Sequence, residues 1–328
     1  MSRGALPLPR ELGAGFTTFS AREAGVRAKR LKHPDVTRLA HGLYARTSAI
    51  DTSGEHTHPD ELWRRRQVAA ARAIADALPD RHFFAGRTAA ALWSLPVRPS
   101  GSDELEVATL HPNRTTRRAG LRATQVRREL VTVVEHDGVP LADPASTWAM
   151  LAGGLSLHDA VALGDAVIRE ARIPGTIRLE RPALAVRYEL EAAVGAGRRI
   201  GAARLREALR LLSPHSASPP ESHLRLLLGE WVLPDPALDH DVYDSGGRLL
   251  GCSELAYPEI SFAMEYESID HMTRTKQWNR DLAKYHDYTA AGWEVHRVTA
   301  HLLYRERQAL RKQLVEALVR RGLPGVHS

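Results

Sequence analysis

The stretch from Leu238 to Glu267 constrains this chain more than any other. It holds three β-rich runs, Leu238 to Tyr243, Arg248 to Tyr257 and Ile260 to Glu267, separated by Asp244-Ser-Gly-Gly247 and by Pro258-Glu259. Paired glycines and a proline mark tight turns, so an antiparallel meander is expected. A strand alternates sides, so on the third run Ile260, Phe262, Met264 and Tyr266 face one way and Glu265 and Glu267 the other. On the second run Leu250, Cys252, Glu254 and Ala256 share a face. A turn centred on Pro258-Glu259 pairs Glu254 near Ala263 and sets it diagonal to Glu265 on one face.

Helical patterns flank the meander. Ser218-Pro-Pro-Glu221 opens a helix whose apolar positions Leu224, Leu227, Leu228 and Trp231 recur at helical spacing, and Glu221 shares their stripe. An inward carboxylate needs a partner, a metal or a raised pKa. Ser218 and Glu221 also make a capping box by themselves, with Pro219 at the first helical position, so both readings stand. Thr273 to Ala291 is predicted helical, with Trp278, Leu282, Tyr285 and Thr289 as its buried stripe, Gln277, Asp281 and Lys284 beside it, and Gly292 as cap. Trp293 to Val298 reads as a strand and Tyr304 to Arg321 as a closing helix. The order is that of a mixed α/β sheet with helices on its faces. Carboxylates converging from Glu221, Glu254 and Glu265 repel unless a divalent cation binds them, and Mg²⁺ suits such an oxygen-only cluster.

Charge singles out other segments. The balance of 45 Lys and Arg against 39 Asp and Glu gives +6, which averaged over the chain is weak evidence for nucleic acid. Its distribution says more: Arg22, Arg27, Lys29, Arg30, Lys32 and Arg38 cluster early, and Arg114, Arg117, Arg118, Arg122, Arg127 and Arg128 form a run without an acid. Solvated faces give the same composition. In the first 50 residues, Ser20 and Glu23 suggest a capped helix opening at Ala21, Gly25-Val26 a turn, and Arg27 to His33 a second short helix. Two short strands follow around His41-Gly42. That is the order of a winged helix-turn-helix, with Arg27, Lys29, Arg30 and Lys32 of the types that contact phosphates and guanine edges. Arg117 and Arg118 are further candidates for DNA contact. Helices are predicted from Asp60 to Leu78, Arg87 to Leu95, Leu155 to Arg172 and Gly201 to Leu212. The linker Ser213 to Glu221 marks a boundary, giving residues 1–50, 51–212 and 219–328 as winged helix, mixed α/β region and C-terminal domain.

The span from Glu221 to about Leu303 resembles the small bacterial endonuclease-like domains related to very short patch repair (Vsr) nucleases, in the PD-(D/E)xK superfamily. The matching pieces are PPESHLRLLL, LLGCSELAYPEISFAMEYES, Asp270-His271, KQWNRDLAKYHDY and AAGWEVHRVT. The N-terminal part resembles the winged-helix and adjoining region of AbiEi-type antitoxin proteins through FTTFSAREAGV, RLAHGLYAR, AAALWSL and DPASTW. The resemblance implies a restriction-endonuclease-like mixed sheet flanked by helices. It makes Glu221 the acid of the first helix, Glu254 the acid of the second strand, and Glu265 with Glu267 the central acidic motif. Gln277 falls on the helix that often supplies a site residue, and His271 on a polar position after the strand. It also implies Mg²⁺, or Mn²⁺ in its place, held by Glu254 and Glu265, and hydrolysis of DNA phosphodiester bonds. His271 or Lys284 is a candidate proton donor or phosphate clamp, with a surface position as the alternative. The family usually has Asp where this chain has Glu254, and Asp-Gly where it has Glu267-Ser268. Mg²⁺ demands near-ideal octahedral geometry, so those departures bear directly on activity.

Other classes are poorly served by this sequence. No run approaches about 18 consecutive apolar residues, the length of a membrane-spanning helix. MSRGALPLPRELGAG lacks the apolar core of a signal peptide, so a cytoplasmic location is expected. The single cysteine, Cys252, makes no intrachain disulfide or thiolate cluster, and there is no G-x-S-x-G or P-loop. Two functions compete: a metal-dependent DNA endonuclease, and a transcriptional regulator or antitoxin-like protein whose nuclease fold has lost its chemistry. DNA is the partner in both, and a homodimer is left open as an assembly.

Overall fold

The computed structural model describes residues 7–51, 58–267 and 275–326, with side chains in the last span from residue 283 onward. The protein is a mixed α/β chain whose contacts divide it into two units, Met1–Gly154 with Arg187–Leu205, and Leu155–Val186 with Arg206–Ser328. The segment 213–221, expected as a boundary, lies inside the second unit, so the linear division into 1–50, 51–212 and 219–328 is not the division made by packing. Among the described residues no helix is long and apolar enough to cross a membrane.

The first unit begins with β1 (Gly15–Thr17), α1 (Thr18–Glu23), a 3₁₀ helix at Ala28–Lys32, the hairpin β2 (Val36–Ala40) and β3 (Leu43–Arg46), and the short α2 (Thr47–Ile50). The sheet order is β1-β3-β2, antiparallel throughout. This is the order expected of a winged helix-turn-helix, with two differences. The first helix is capped by Thr17, whose hydroxyl accepts from Ser20 N while Ser20 accepts from Thr17 N, so the helix starts three residues before the expected Ala21. The second helix is a single 3₁₀ stretch. Gly15 is required on β1: a Cβ there would fall 1.6 Å from the carbonyl oxygen of Ala73 on α3 (Pro59–Ile74). α3 is capped by His58, whose Nδ1 accepts from Asp60 N at 3.2 Å.

The rest of this unit is a five-stranded mixed sheet built from β4 (His82–Phe84), β5 (Leu105–Leu110), β6 (Leu121–Val126), β7 (Val133–His136) and β8 (Val139–Ala142), in the order β6-β5-β4-β8-β7. Within the arginine-rich run, β6 forms a parallel edge strand on β5 that its polar sequence did not announce. α3, α4 (Gly86–Leu92) and α5 (Pro144–Leu151) contribute Ile74, Leu92 and Trp148 to the buried interior.

In the second unit, α6 (Leu157–Ile168) packs on α9 (Pro219–Glu230); between them in the chain come the strand pair β9 (Ala171–Arg172) and β10 (Leu179–Arg181) and the helices α7 (Arg187–Gly195) and α8 (Ala202–Leu211). Asp165 on α6 is fully buried, and its carboxylate accepts from Arg225 Nη2 at 2.9 Å, Ser222 Oγ at 2.7 Å and Ser213 N at 2.7 Å. Burial raises its pKa, and Arg225 pulls the other way. Truncating one member of such a pair strands the other charge, so Arg225→Ala should cost about 3 kcal/mol in urea unfolding. The double variant with Asp165→Asn should recover part of that loss; equal destabilisation of single and double variants would refute the pairing.

The four-stranded sheet of this unit runs β11 (Ala237–Tyr243), β12 (Leu249–Tyr257), β13 (Phe262–Glu267) and β14 (Glu294–Thr299) in that order. The first three form the expected meander, and β14 is parallel to β13. α10 (Thr275–Ala290) makes the crossover, and α11 (Ala300–Tyr304) and α12 (Arg307–Arg321) close the chain. Leu224, Leu228, Leu255, Tyr257, Phe262, Met264, Leu310, Leu314 and Leu318 form the core on one face of the sheet. On the other face Val242, Ala263 and Tyr288 cluster, with Trp293 and Val295 against them. Among the described side chains of α10, Tyr288 is the buried one, not the expected Tyr285 and Thr289. Trp278 and Leu282 fall outside the described side chains.

Candidate active site

The register between β12 and β13 places the carboxylates. The paired residues are Leu255 with Met264, Ala256 with Ala263 and Tyr257 with Phe262. The expected pairing of Glu254 near Ala263 is therefore displaced by two residues. The turn is a four-residue loop, Pro258 to Ser261, with Ser261 left-handed at φ 48°, longer than the two-residue turn the sequence suggests. Glu254 lies one step beyond the last pair, level with Glu265. Its Oε2 accepts the Tyr266 N–H at 2.7 Å, taking a donor that a continued ladder would use.

The face assignment of β12 changes as well. Leu255 and Tyr257 belong to the main core, yet Ser253, whose hydroxyl donates to the Leu255 carbonyl at 3.1 Å, lies close enough to Glu265 to lower its pKa, and Gly251 lies against α10 on the opposite side. Strict alternation would put all four on one side. The strand shifts phase around Glu254, so Cys252, Glu254 and Ala256 do not share a face as a simple strand would have them. Gly251 has a steric purpose: a Cβ there would sit 3.1 Å from the Tyr288 hydroxyl and 3.4 Å from Lys284 Cε, and its absence lets Lys284 lie along the sheet.

Lys284 is the cation of the cluster. Its ammonium is 2.9 Å from Glu265 Oε1 and donates to the Cys252 carbonyl at 2.8 Å, with the Tyr288 ring 5.4 Å away. Glu265 is 4% exposed. Glu254 keeps some exposed surface, but its carboxyl is packed deeply enough that burial dominates its electrostatics. Burial raises the pKa of Glu221, Glu254 and Glu265, most strongly for Glu254, where the charges of Glu221 and Glu265 add to it. Lys284 opposes the shift of Glu265. The structure thus brings Glu221, Glu254 and Glu265 into one electrostatic neighbourhood. The capping box at Glu221 is only half formed: Ser218 caps the Glu221 amide, but Glu221 Oε2 accepts from Ala217 N at 2.8 Å and not from Ser218 N, and its buried carboxyl shares the neighbourhood of the other two acids.

Glu267 does not join them. Its Oε1 accepts from Arg297 Nε at 2.6 Å and from the Tyr285 hydroxyl at 3.0 Å, and Arg297 stacks on the Tyr285 ring. Gln277 lies on α10 with its side chain outside the described residues, and His271 also lies outside them. Arg169, whose charge lowers the Glu221 pKa, was not singled out from sequence. It stands 52 residues before Glu221 in the chain, and no local pattern links the two.

A hard cation fits this donor set through its chemistry. The ligands are carboxylate oxygens, and Glu265 Oε1, though beside Lys284, has no well-directed hydrogen bond. Among the described residues no three His, Cys, Asp or Glu side chains are arranged to hold a metal by themselves. Mg²⁺ commonly takes only one or two carboxylates and completes its octahedron with waters and substrate phosphate. Glu254 and Glu265 would be those two ligands.

The basic candidates lie in the first unit. Arg27, Lys29, Lys32 and Arg117 are exposed, whereas Arg30 is held by Asp35 through two contacts of 2.6 Å. Arg118 is half-buried, with Nη1 enclosed.

No family model matches the chain. Two uncharacterized Mycobacterium tuberculosis proteins, Rv2248 and MT2308, are each 27% identical to it over 209 residues, which is 63% of this chain and 69% of theirs.

Proposed function

We propose that this protein binds DNA through its first unit and that its second unit is a Mg²⁺-dependent endonuclease of the Vsr-like kind, working in the cytoplasm. The observation that carries the reading is the buried cluster of Glu221, Glu254, Glu265 and Lys284 on a helix, three-strand, helix, strand framework. A bound Mg²⁺ would activate water and offset charge building on the phosphate. Glu254 and Glu265 would hold it, and Glu221, kept in place by the Ala217 amide, would set the field that draws a cation inward. Lys284 neutralises part of that field and leaves the pair ready to exchange one cation for another. Once a metal took its place at Glu265, the ammonium would be free to steady a phosphate oxygen.

A second reading keeps the DNA-binding function and drops the chemistry. It is favoured by Glu267, which Arg297 and Tyr285 have taken, and by the ammonium already placed at Glu265. Incubation of single-stranded and duplex DNA with Mg²⁺ or Mn²⁺, against an EDTA control, separates the two. Metal-dependent cutting supports the nuclease; bound but uncut DNA across all substrates establishes the regulator.

A further inference from the structure

The 3₁₀ stretch Ala28–Lys32 offers little to a DNA groove. It has fewer than two turns at about three residues per turn, Leu31 is buried, and Arg30 is bound to Asp35. Lys29 and Lys32, spaced i and i+3, stack on one side of it. Two ammonium groups on so short a stretch are placed to hold phosphates.

The neighbouring hairpin turn is better furnished. Three separate segments meet at His41-Gly42. Thr18 N, at the start of α1, donates to the Gly42 carbonyl at 3.0 Å. His41 N donates to the Ala119 carbonyl at 2.7 Å, which ties the turn to the arginine-rich run. The close fit continues at Gly120, where a Cβ would fall 2.6 Å from the Leu39 carbonyl oxygen and 2.7 Å from Ala40 Cα. Arg38, exposed, donates from Nη2 to His41 Nδ1 at 3.0 Å, and Arg117, exposed, lies two residues before Ala119. The residue after Thr18 is Phe19, 70% exposed, with Arg22 one turn further on the same helix surface. The acids nearby are few: Glu23 on α1, and Asp35, already engaged by Arg30 and His33.

We propose that this turn, fixed from both sides, is the centre of a composite surface for duplex DNA in which Arg38 and Arg117 grip phosphates and Phe19 makes apolar contact with base edges. The inference rests on the DNA-binding reading and adds the residues and the kind of contact each makes. An exposed phenylalanine among arginines suits a polyanion with apolar edges, such as the methyl groups of thymine in a groove. Docking of the turn on Ala119 brings Arg117 to the same place from 76 residues along the chain.

Anisotropy of a labelled 30-base-pair duplex, titrated with the full-length protein over a range of salt, tests this. Each phosphate contact contributes about 0.9 to the slope of log affinity against log salt, so Arg38→Ala with Arg117→Ala should lower that slope by about 2. Phe19→Ala should weaken binding roughly fivefold at every salt concentration and leave the slope unchanged, the mark of an apolar contact. Phe19 is largely exposed, and circular dichroism of the variant should match that of the parent protein. If only Lys29→Ala with Lys32→Ala weakens binding, DNA binding stands and the composite surface is overturned. If the unaltered protein binds no duplex, both the parent reading and this surface fall together.

Discussion

Glu265→Gln should leave the protein folded and its DNA affinity intact or raised, while lowering the rate of metal-dependent cleavage by at least about 1,000-fold. The replacement keeps size and shape, and the site at β13 is enclosed by Ser253, Lys284 and Glu254. It removes one of three mutually repelling charges, so the fold is relieved of repulsion as it loses the ion pair to Lys284. DNA affinity rises, if it changes at all, because a negative charge leaves the vicinity of a polyanion. An amide oxygen, however, carries no net charge with which to hold a divalent cation. Gel assays of cutting and anisotropy of binding on the same preparations decide it. Parallel loss of both would point to a folding defect, and unchanged cutting would remove Glu265 from the chemistry.

Lys284→Met should destabilise the protein by about 3 kcal/mol at pH 7, with a smaller deficit at pH 5. Methionine keeps most of the side-chain stem packed against Tyr288 but removes the cation that, among the described residues, touches Glu265. The sign follows from linkage. Glu221, Glu254 and Glu265 have pKa values raised above those of the unfolded chain, so the folded state holds extra protons between the two. Stability from these groups therefore falls as pH rises out of the ordinary glutamate range and through the raised values. Without Lys284 those values climb further, and the fall grows and extends to higher pH. Urea unfolding at pH 5 and pH 8 measures it. An equal deficit at both pH values would assign Lys284 a packing role alone.

The meander and its flanking helices could be read from sequence because turn residues and alternating apolar positions are local signals. Glu221, Glu254 and Glu265 were legible for the same reason: each is a carboxylate on an otherwise apolar strand or helix face. The phase change at Glu254 was not, since Ser253, Glu254 and Leu255 include no glycine or proline to mark it. Glu267 was placed on the correct side of β13, but its partner Arg297 is 30 residues away on a parallel strand. Local periodicity does not report such pairings. In the first unit, Thr17 and Ser20 satisfy a cap as well as Ser20 and Glu23 do, and only the path of β1 into α1 selects between them. Asp165 carries a local signal as well: a carboxylate in the apolar helix LHDAVALGDAVI calls for a buried partner, and Arg225 is that partner.

The attachment of α6 to α9 also bears on how such a gene can be inherited in parts. The unit carrying the carboxylates is discontinuous in sequence, since Leu155–Val186 belongs with Arg206–Ser328. A recombination event at the serine- and proline-rich segment before Glu221 would pass on α9 and the sheet without the helix that holds Asp165. Arg225 and Ser222 would travel without their acceptor, and the face of α9 that α6 covers would be bare. The unit that carries the carboxylates is therefore expected to move between genomes together with the upstream segment, as one block spanning Leu155 to the C-terminal helices.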